Sequence, residues 1–341
     1  MGIAFKSRVQ STKILDPKTG YEEKTLTLET RWDPLTGRTS RVLDLPIKKL
    51  DALDMEEMLK RCGDVFCPFC PDVLEQVTPR FADDLIAGGR LRFGEACVLP
   101  NRLPFDRYCA VVVLTRRHYC PLADFTEEQL FNGFSIARSF LRRLVEVDPA
   151  ARFFSINWNY LPMSGGSIIH PHLQIIGGDL PTHYQGEMIE GGRSYRQQGG
   201  NIFWDDLLTT EADLGERYLG ALGNTAWLTS YAPLGFADIM AVVRERTSII
   251  DLTDQDLGDL ARGLLKVFQY FQDFNHYSFN LGLYSGEYGG DDSFWVNARI
   301  VTRRLLPPVG ASDVSYFEKL HRESIGYKKP ERLCEEMKAY F

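Results

Sequence analysis

Long apolar runs are missing from this chain. The longest, such as AVVVL at 110–114, fall far short of the roughly 20 residues that a bilayer-spanning helix needs. Net positive charge is missing too. A formal charge of −7 gives no general attraction to nucleic acid or anionic membranes, so a phosphorylated ligand must be met by local donors. The opening MGIAFKSRVQ lacks the apolar core of a secretory signal, and Lys6 stands where myristoylation wants Ser or Thr. Cysteine is sparse and odd in number, seven in 341 residues. Without an export signal that argues for reduced thiols, and for metal ligands over a disulfide framework. No membrane and no nucleic acid are therefore expected as partners, and the cytoplasm is the expected location.

What is present first is length: 341 residues exceed what one core usually serves, so two domains or two fused repeats are expected. Two amphipathic helices stand out. In 126–147 Leu130, Phe134, Leu141 and Leu144 fall near helical spacing behind a Thr126 cap. In 253–274 Leu257, Leu260, Leu264, Phe268 and Phe271 do the same behind Thr253. Their flanks match as well. Each is preceded by a strand-like run and followed by strand, Gly-rich turn and strand. Laid over one another, these put Trp295 at His170, Asn297 at His172 and Arg299 at Gln174. This is an internal duplication whose second copy has lost the histidines. The Gly-rich polar stretch 177–200 is expected to be the crossover between the copies.

Chemistry concentrates in the first copy. In GGSIIHPHLQII (165–176), His170, His172 and Gln174 alternate, so on an extended strand they share one face, opposite Ile169, Leu173 and Ile175. CPFC at 67–70 offers two thiolates to one tetrahedral ion, although redox use or accidental spacing is an equal reading of so short a motif. Zinc needs two further N or S ligands. His118, after the strand AVVVLTRR, and His170 both lie at strand ends of the copy that carries the thiols; alone, His118 reads as a surface histidine and His170 as a core one. His172 is then the free imidazole, competent as a nucleophile if its other nitrogen is held protonated. MSGGS (163–167) supplies backbone amides and the Ser167 hydroxyl for phosphoryl oxygens, and its glycines also suit a plain hairpin turn.

H-P-H-x-Q after a Gly/Ser turn, with an upstream C-P-F-C, resembles the galactose-1-phosphate uridylyltransferase family, the H-x-H-x-Q transferase branch of the histidine triad superfamily. RWDPLTGR (31–38) resembles its N-terminal signature and VLPNRLPF (98–105) its nucleotide-binding strand. The resemblance implies an α+β fold of two tandem histidine-triad-like units, antiparallel sheets with packed helices. Their bounds are a catalytic and zinc domain at 1–200 and a degenerate domain at 201–341. It implies Cys67, Cys70, His118 and His170 as ligands of a structural Zn2+, His172 as the nucleotidylated nucleophile and Gln174 as the residue steadying the phosphate. Asn101 and Asn159 match nucleotide contacts and Ser167 a phosphate contact. Arg38 and Arg41 stand in for phosphate-binding arginines on a shorter loop. The partners implied are a nucleoside diphosphate sugar and a sugar 1-phosphate, with a homodimer left open.

The departures leave base and acceptor open. Arg102 stands where the uridylyltransferases have Asp, YFEKLHRES (316–324) keeps only Phe317 of the family's sugar-phosphate segment, and FWVNAR offers no second metal site. The expected activity is ping-pong transfer of a nucleoside monophosphate. The alternatives are a phosphorylase of the same superfamily, acting on an ADP-sugar or diadenosine tetraphosphate, and a non-catalytic zinc-stabilised nucleotide-binding protein.

Overall fold

Ten short segments, several of them apolar and buried along nearly their whole length (ACVL at 96–99, CAVVV at 109–113), build one antiparallel sheet, and the doubled pattern in the sequence becomes a doubled order of strands. A computed structural model describes residues 2–46, 49, 57–60, 66–199, 201–306 and 310–341. Strands β1 (Lys6–Asp16), β2 (Glu22–Trp32) and β3 (Thr39–Val42) open the chain. The first repeat supplies β4 (Leu91–Phe93), β5 (Ala96–Pro100), β6 (Tyr108–Val113), β7 (Phe153–Tyr160) and β8 (His172–Gly178). The second supplies β9 (Tyr218–Leu222), β10 (Thr225–Thr229), β11 (Asp238–Val243), β12 (Ser278–Tyr284) and β13 (Asn297–Arg303). The sheet runs β4-β5-β6-β8-β7-β12-β13-β11-β10-β9, so the two halves have the same order and meet through β7 and β12. The pairing Asn157↔Gly282 sits at the centre of this pseudo-two-fold arrangement.

The equivalence of the copies extends to single bonds. Leu114 N–H donates to the Pro171 carbonyl (3.0 Å), and Val243 N–H donates to the Val296 carbonyl (2.9 Å). Helices α1 (Pro71–Val77) and α2 (Glu127–Val147) belong to the first repeat, and α5 (Asp254–Asp273) is the counterpart of α2. Thr126 and Thr253 each close a capping box, with Gln129 and Asp256 as the reciprocal partners, so both helices start where the sequence places them. The apolar stripes of α2 and α5 cover one face of the sheet. They share a core in which Trp158 of β7 meets Phe268 of α5 and Phe279 of β12. The α+β fold of two tandem units is thus observed, on one continuous sheet.

The crossover expected at 177–200 is there, but most of it is helical: α3 (His183–Gly199) followed by α4 (Phe203–Leu214). Four glycines in α3 masked its periodicity, and tertiary contacts hold it instead. Gln185 Nε2 donates to the Phe154 and Ser285 carbonyls (3.0 and 2.7 Å), clipping α3 to both halves. Gly191 and Gly192 let the helix lie against Leu35 and Ser293, where a Cβ would come within 2.4 and 2.8 Å of backbone oxygens. Met188, Phe203, Trp204 and Leu207 then fill the second repeat's other face, over Met240, Val242 and Trp295. Short elements end the described chain. β14 (Leu305–Leu306) and β15 (Ala311–Ser312) form a small hairpin, and α6 (Tyr316–Leu320) and α7 (Pro330–Met337) flank β16 (Ser324–Gly326), which pairs in parallel with β3. Among the described residues no helix is long and apolar enough to cross a membrane.

Candidate active site and metal centre

Four side chains from three separate segments converge. The ligand atoms of Cys67, Cys70, His118 and His170 all lie within 4.8 Å of one another. Cys70 Sγ is 3.3 Å from His118 Nδ1, and Cys67 Sγ is 3.7 Å from His170 Nδ1. For ligands about 2.0–2.3 Å from a tetrahedral ion, sulfur and nitrogen should stand roughly 3.5 Å apart, so the cluster has the dimensions of a four-ligand metal site. Pro71 starts α1 just behind Cys70, and the bond from Cys70 N–H to the Cys67 carbonyl (3.3 Å) folds the motif into a turn that aims both sulfurs one way. Burial, then the adjacent Cys67 sulfur, pushes the Cys70 thiol up to about 11. Two thiolates therefore share this place only with a cation between them, which is what the donor set fits.

His170 is fully buried, and burial drives its imidazole down to about 4, so the ring is neutral. Nε2 donates to the Thr115 carbonyl (2.7 Å). That bond fixes the tautomer and turns the Nδ1 lone pair toward the thiols. His170 precedes the strand proper, which begins at His172. The ladder therefore sets the shared face for His172 and Gln174, while His170, just before the strand, reaches into the cluster, with Phe69 against both imidazoles.

His172 is 6% exposed, and its Nδ1–H donates to the His170 carbonyl (2.8 Å). Burial holds its pKa below the ordinary value, with that bond opposing. The proton is thus committed to Nδ1, and the lone pair is on Nε2. The ring of Phe69, from between the two cysteines, packs edge-on at 5.1 Å. Phe69 and Leu74 seat the metal turn on Cys97, Leu99, Val111 and Val113, so cluster and His172 share one floor.

The strand ladder decides what stands beside His172. Gln174 pairs with Asn157 of β7, and one position beyond Trp158↔Leu173 the register brings Asn159 opposite His172. Gln174, Asn157 and Asn159 are half-buried and lie on the His172 face. Asn159 Oδ1 accepts from Asn280 Nδ2 (2.6 Å), a residue of β12 in the second repeat. The turn after β7 is tight: Leu161 has φ 67° and Gly165 φ 90°, and a Cβ on Gly166 would meet the Asn159 and Leu161 carbonyl oxygens at 3.0 and 3.3 Å. Ser167, at its end, is exposed.

Of the remaining sequence candidates, Asn101 follows the strand that carries Cys97 and Leu99 of this floor, and the two arginines lie elsewhere. Asn101 follows β5, its backbone N–H donating to the Cys109 carbonyl (2.9 Å) and its Oδ1 accepting from Leu103 N–H (3.0 Å). Arg38 binds Glu187 (2.5 Å) over the Tyr184 ring, and Arg41 binds Thr30 and Glu323. The partners of the two arginines lie outside the strands of the His172 face, whereas Cys109 belongs to β6, which pairs with β8. Thr115, Phe69, Asn157 and Asn280 were not singled out from sequence. Asn157 was within reach, since it falls in register with Gln174 once the hairpin is drawn; Asn280 required the pairing of the two repeats.

No protein-family model matches the chain. It is 30% identical over 334 residues to an uncharacterized protein of Archaeoglobus fulgidus, covering 98% of each. Among solved structures it is similar to a GalT-like protein from Arabidopsis thaliana, at TM-score 0.71 and 16% identity over 91% of this chain and 98% of that one. An ADP-glucose phosphorylase from the same plant, determined with bound ADP-glucose, gives the same values. A uridylyltransferase follows at TM-score 0.67 and 18% identity, over 91% and 97% of the two chains.

Proposed function

The chain belongs to one family with the Archaeoglobus protein, built on the galactose-1-phosphate uridylyltransferase-like fold of the histidine triad superfamily, and on that premise we propose that it transfers a nucleoside monophosphate through a covalent nucleotidyl-histidine. The observation that carries the reading is the bond from His172 Nδ1–H to the His170 carbonyl, which leaves Nε2 as a neutral nucleophile. His172 Nε2 attacks the α-phosphorus of a nucleoside diphosphate sugar. A P–N bond forms as the P–O bond to the β-phosphate breaks, and sugar 1-phosphate leaves. The positive charge gained by the ring is met by the His170 carbonyl. A second phosphate acceptor then reverses the step. Gln174 donates to the phosphoryl group but offers no acid or base for water, which disfavours hydrolysis.

Cys67, Cys70, His118 and His170 would hold zinc as a closed structural ion that fixes the start of β8. Asn159 and Ser167 flank the phosphate and Asn101 the nucleoside. Arg38 and Arg41 would have to exchange Glu187 and Glu323 for phosphate to contribute. The chemistry falls to 1–200, and 201–341 completes the surface. Arg102 is exposed and differs from the uridine pattern, which favours testing an adenine nucleotide and inorganic phosphate beside the uridine donor and sugar 1-phosphate.

The test is intact-mass measurement after separate incubation with UDP-glucose, ADP-glucose and GDP-mannose. One donor should add one nucleoside monophosphate per chain, removable by glucose 1-phosphate or by inorganic phosphate according to the true acceptor. His172→Asn should add none while keeping its metal. No adduct with any donor, together with tight nucleotide binding, would favour the non-catalytic alternative.

A further inference from the structure

A line of polar side chains runs from the second repeat into the His172 face. Asp313 Oδ1 accepts from Arg303 Nε (2.9 Å), and Arg303 NH1 donates to Asn280 Oδ1 (2.8 Å). Asn280 Nδ2 donates to Asn159 Oδ1 (2.6 Å) and to the Ser164 carbonyl (2.9 Å). Each link has only one sense. A guanidinium can only donate, so Asn280 must turn its oxygen to Arg303. A carbonyl can only accept, so Asn280 must turn its amide nitrogen to Ser164. Asn159 is then left with its oxygen occupied and its NH2 group unused by this chain of bonds. Asn159 and His172 are the next residues of β7 and β8 beyond the last pair, Trp158↔Leu173.

We propose that Arg303 and Asn280 are positioning residues that set the polarity of Asn159, so that its NH2 group donates to a phosphoryl oxygen at His172. The second repeat, which lacks the histidines, thereby contributes to the site of the first. The same Asn280 amide pins Ser164, and with it the Gly165–Ser167 turn. Asn159 could otherwise present either end of its amide, and its oxygen would repel a phosphate. A donor to a charged oxygen typically contributes a factor of about 10–100.

This rests on the nucleotidyl-transfer reading, and the test separates the two. Asn280→Asp keeps the size and the bond to Arg303 but has no amide, so Asn159 must flip to donate to the introduced carboxylate. Asn280→Leu removes the relay without adding charge. Arg303→Met and Arg303→Lys remove and retain the donor that orients Asn280. For each, the melting midpoint, the metal content, the rate of adduct formation with the donor that labels the wild type, and the affinity for inorganic pyrophosphate by calorimetry are measured. Both Asn280 variants and Arg303→Met should form adduct about 10- to 100-fold more slowly and bind pyrophosphate more weakly, with metal retained. Arg303→Lys should keep at least about a third of the wild-type rate. Adduct rates in Asn280→Asp and Asn280→Leu within about twofold of wild type overturn the relay. If the wild type forms no adduct, the transfer reading fails by itself and pyrophosphate decides: equal affinity in wild type and Asn280→Asp, absence of binding included, overturns the relay.

Discussion

Positions 172 and 297 occupy equivalent places and make the same local bond. His172 Nδ1 donates to the carbonyl two residues back (2.8 Å), and Asn297 Nδ2 does so to the Trp295 carbonyl (3.0 Å). Asn therefore satisfies the backbone without supplying a nucleophile, which is why His172→Asn is a suitable inactive variant. A different histidine contributes to the response to acid. His276 is buried beside the rings of Phe236, Tyr270 and Phe271; burial first, then Lys328 and Arg304, pushes it down to about 3. Its folded pKa lies below the unfolded value of about 6.5, so between those values the unfolded chain takes up a proton that the fold refuses. Stability is lost as pH falls through that window, by at most about 1.4 kcal/mol per unit, or about 2 kcal/mol from pH 6.5 to 5. His276→Phe should show a shallower fall in urea midpoint over this range. Parallel curves for the two proteins would mean that the ring charges within the fold.

Helix α5 shows how packing reverses a propensity. Replacing a mid-helix glycine by alanine normally stabilises by up to about 1 kcal/mol. Gly263, however, faces the buried indole of Trp227, which a Cβ would enter. Trp227 lies on β10 against Phe341 and has no room to retreat. Gly263→Ala should therefore destabilise, by about 1–3 kcal/mol net, as overpacking does. Urea unfolding with an unchanged slope and a lower midpoint would bear this out; a raised midpoint would show that the indole moves aside. The crossover helices make a related point. The first of them, α3, is Gly-rich, yet together with α4 it closes the face of the second repeat that corresponds to the His172 face of the first. The second copy thus buries in helix contacts the face that in the first copy carries the proposed site.

At the scale of the molecule, the joint between repeats is the middle of the sheet. β12 pairs with β7 from Phe279↔Tyr160 to Tyr284↔Ser155, and Trp158, Phe268 and Phe279 pack across that line. Arg31, Arg217 and Glu331 further join β2, the second repeat and α7 through bonds of 2.8 Å. A fragment of residues 1–200 would expose the β7 edge and one side of this aromatic cluster. It should yield no monodisperse folded monomer, judged by size exclusion and near-ultraviolet circular dichroism. A fragment with native-like aromatic signals would show that the first repeat folds alone.

The sequence by itself determined what depends on near neighbours. Thr126 and Thr253 started their helices because capping is decided within four residues, and the doubled periodicity gave two equivalent units. Spacing by two placed His172 and Gln174 on one face because a strand alternates. It could not show that His170 is oriented by Thr115, since that carbonyl is 55 positions away. Nor could it show that Gly-rich 183–199 is a helix, whose support comes from Phe154 and Ser285, or that Arg38 and Arg41 find carboxylates at Glu187 and Glu323. Asn280 lies 121 residues from Asn159, and only the pairing of β7 with β12 brings them together. Local stereochemistry wrote the elements and the histidines into the chain; the contacts across the pseudo-two-fold joint were fixed only when the sheet closed, because register between distant strands depends on which faces they bury together.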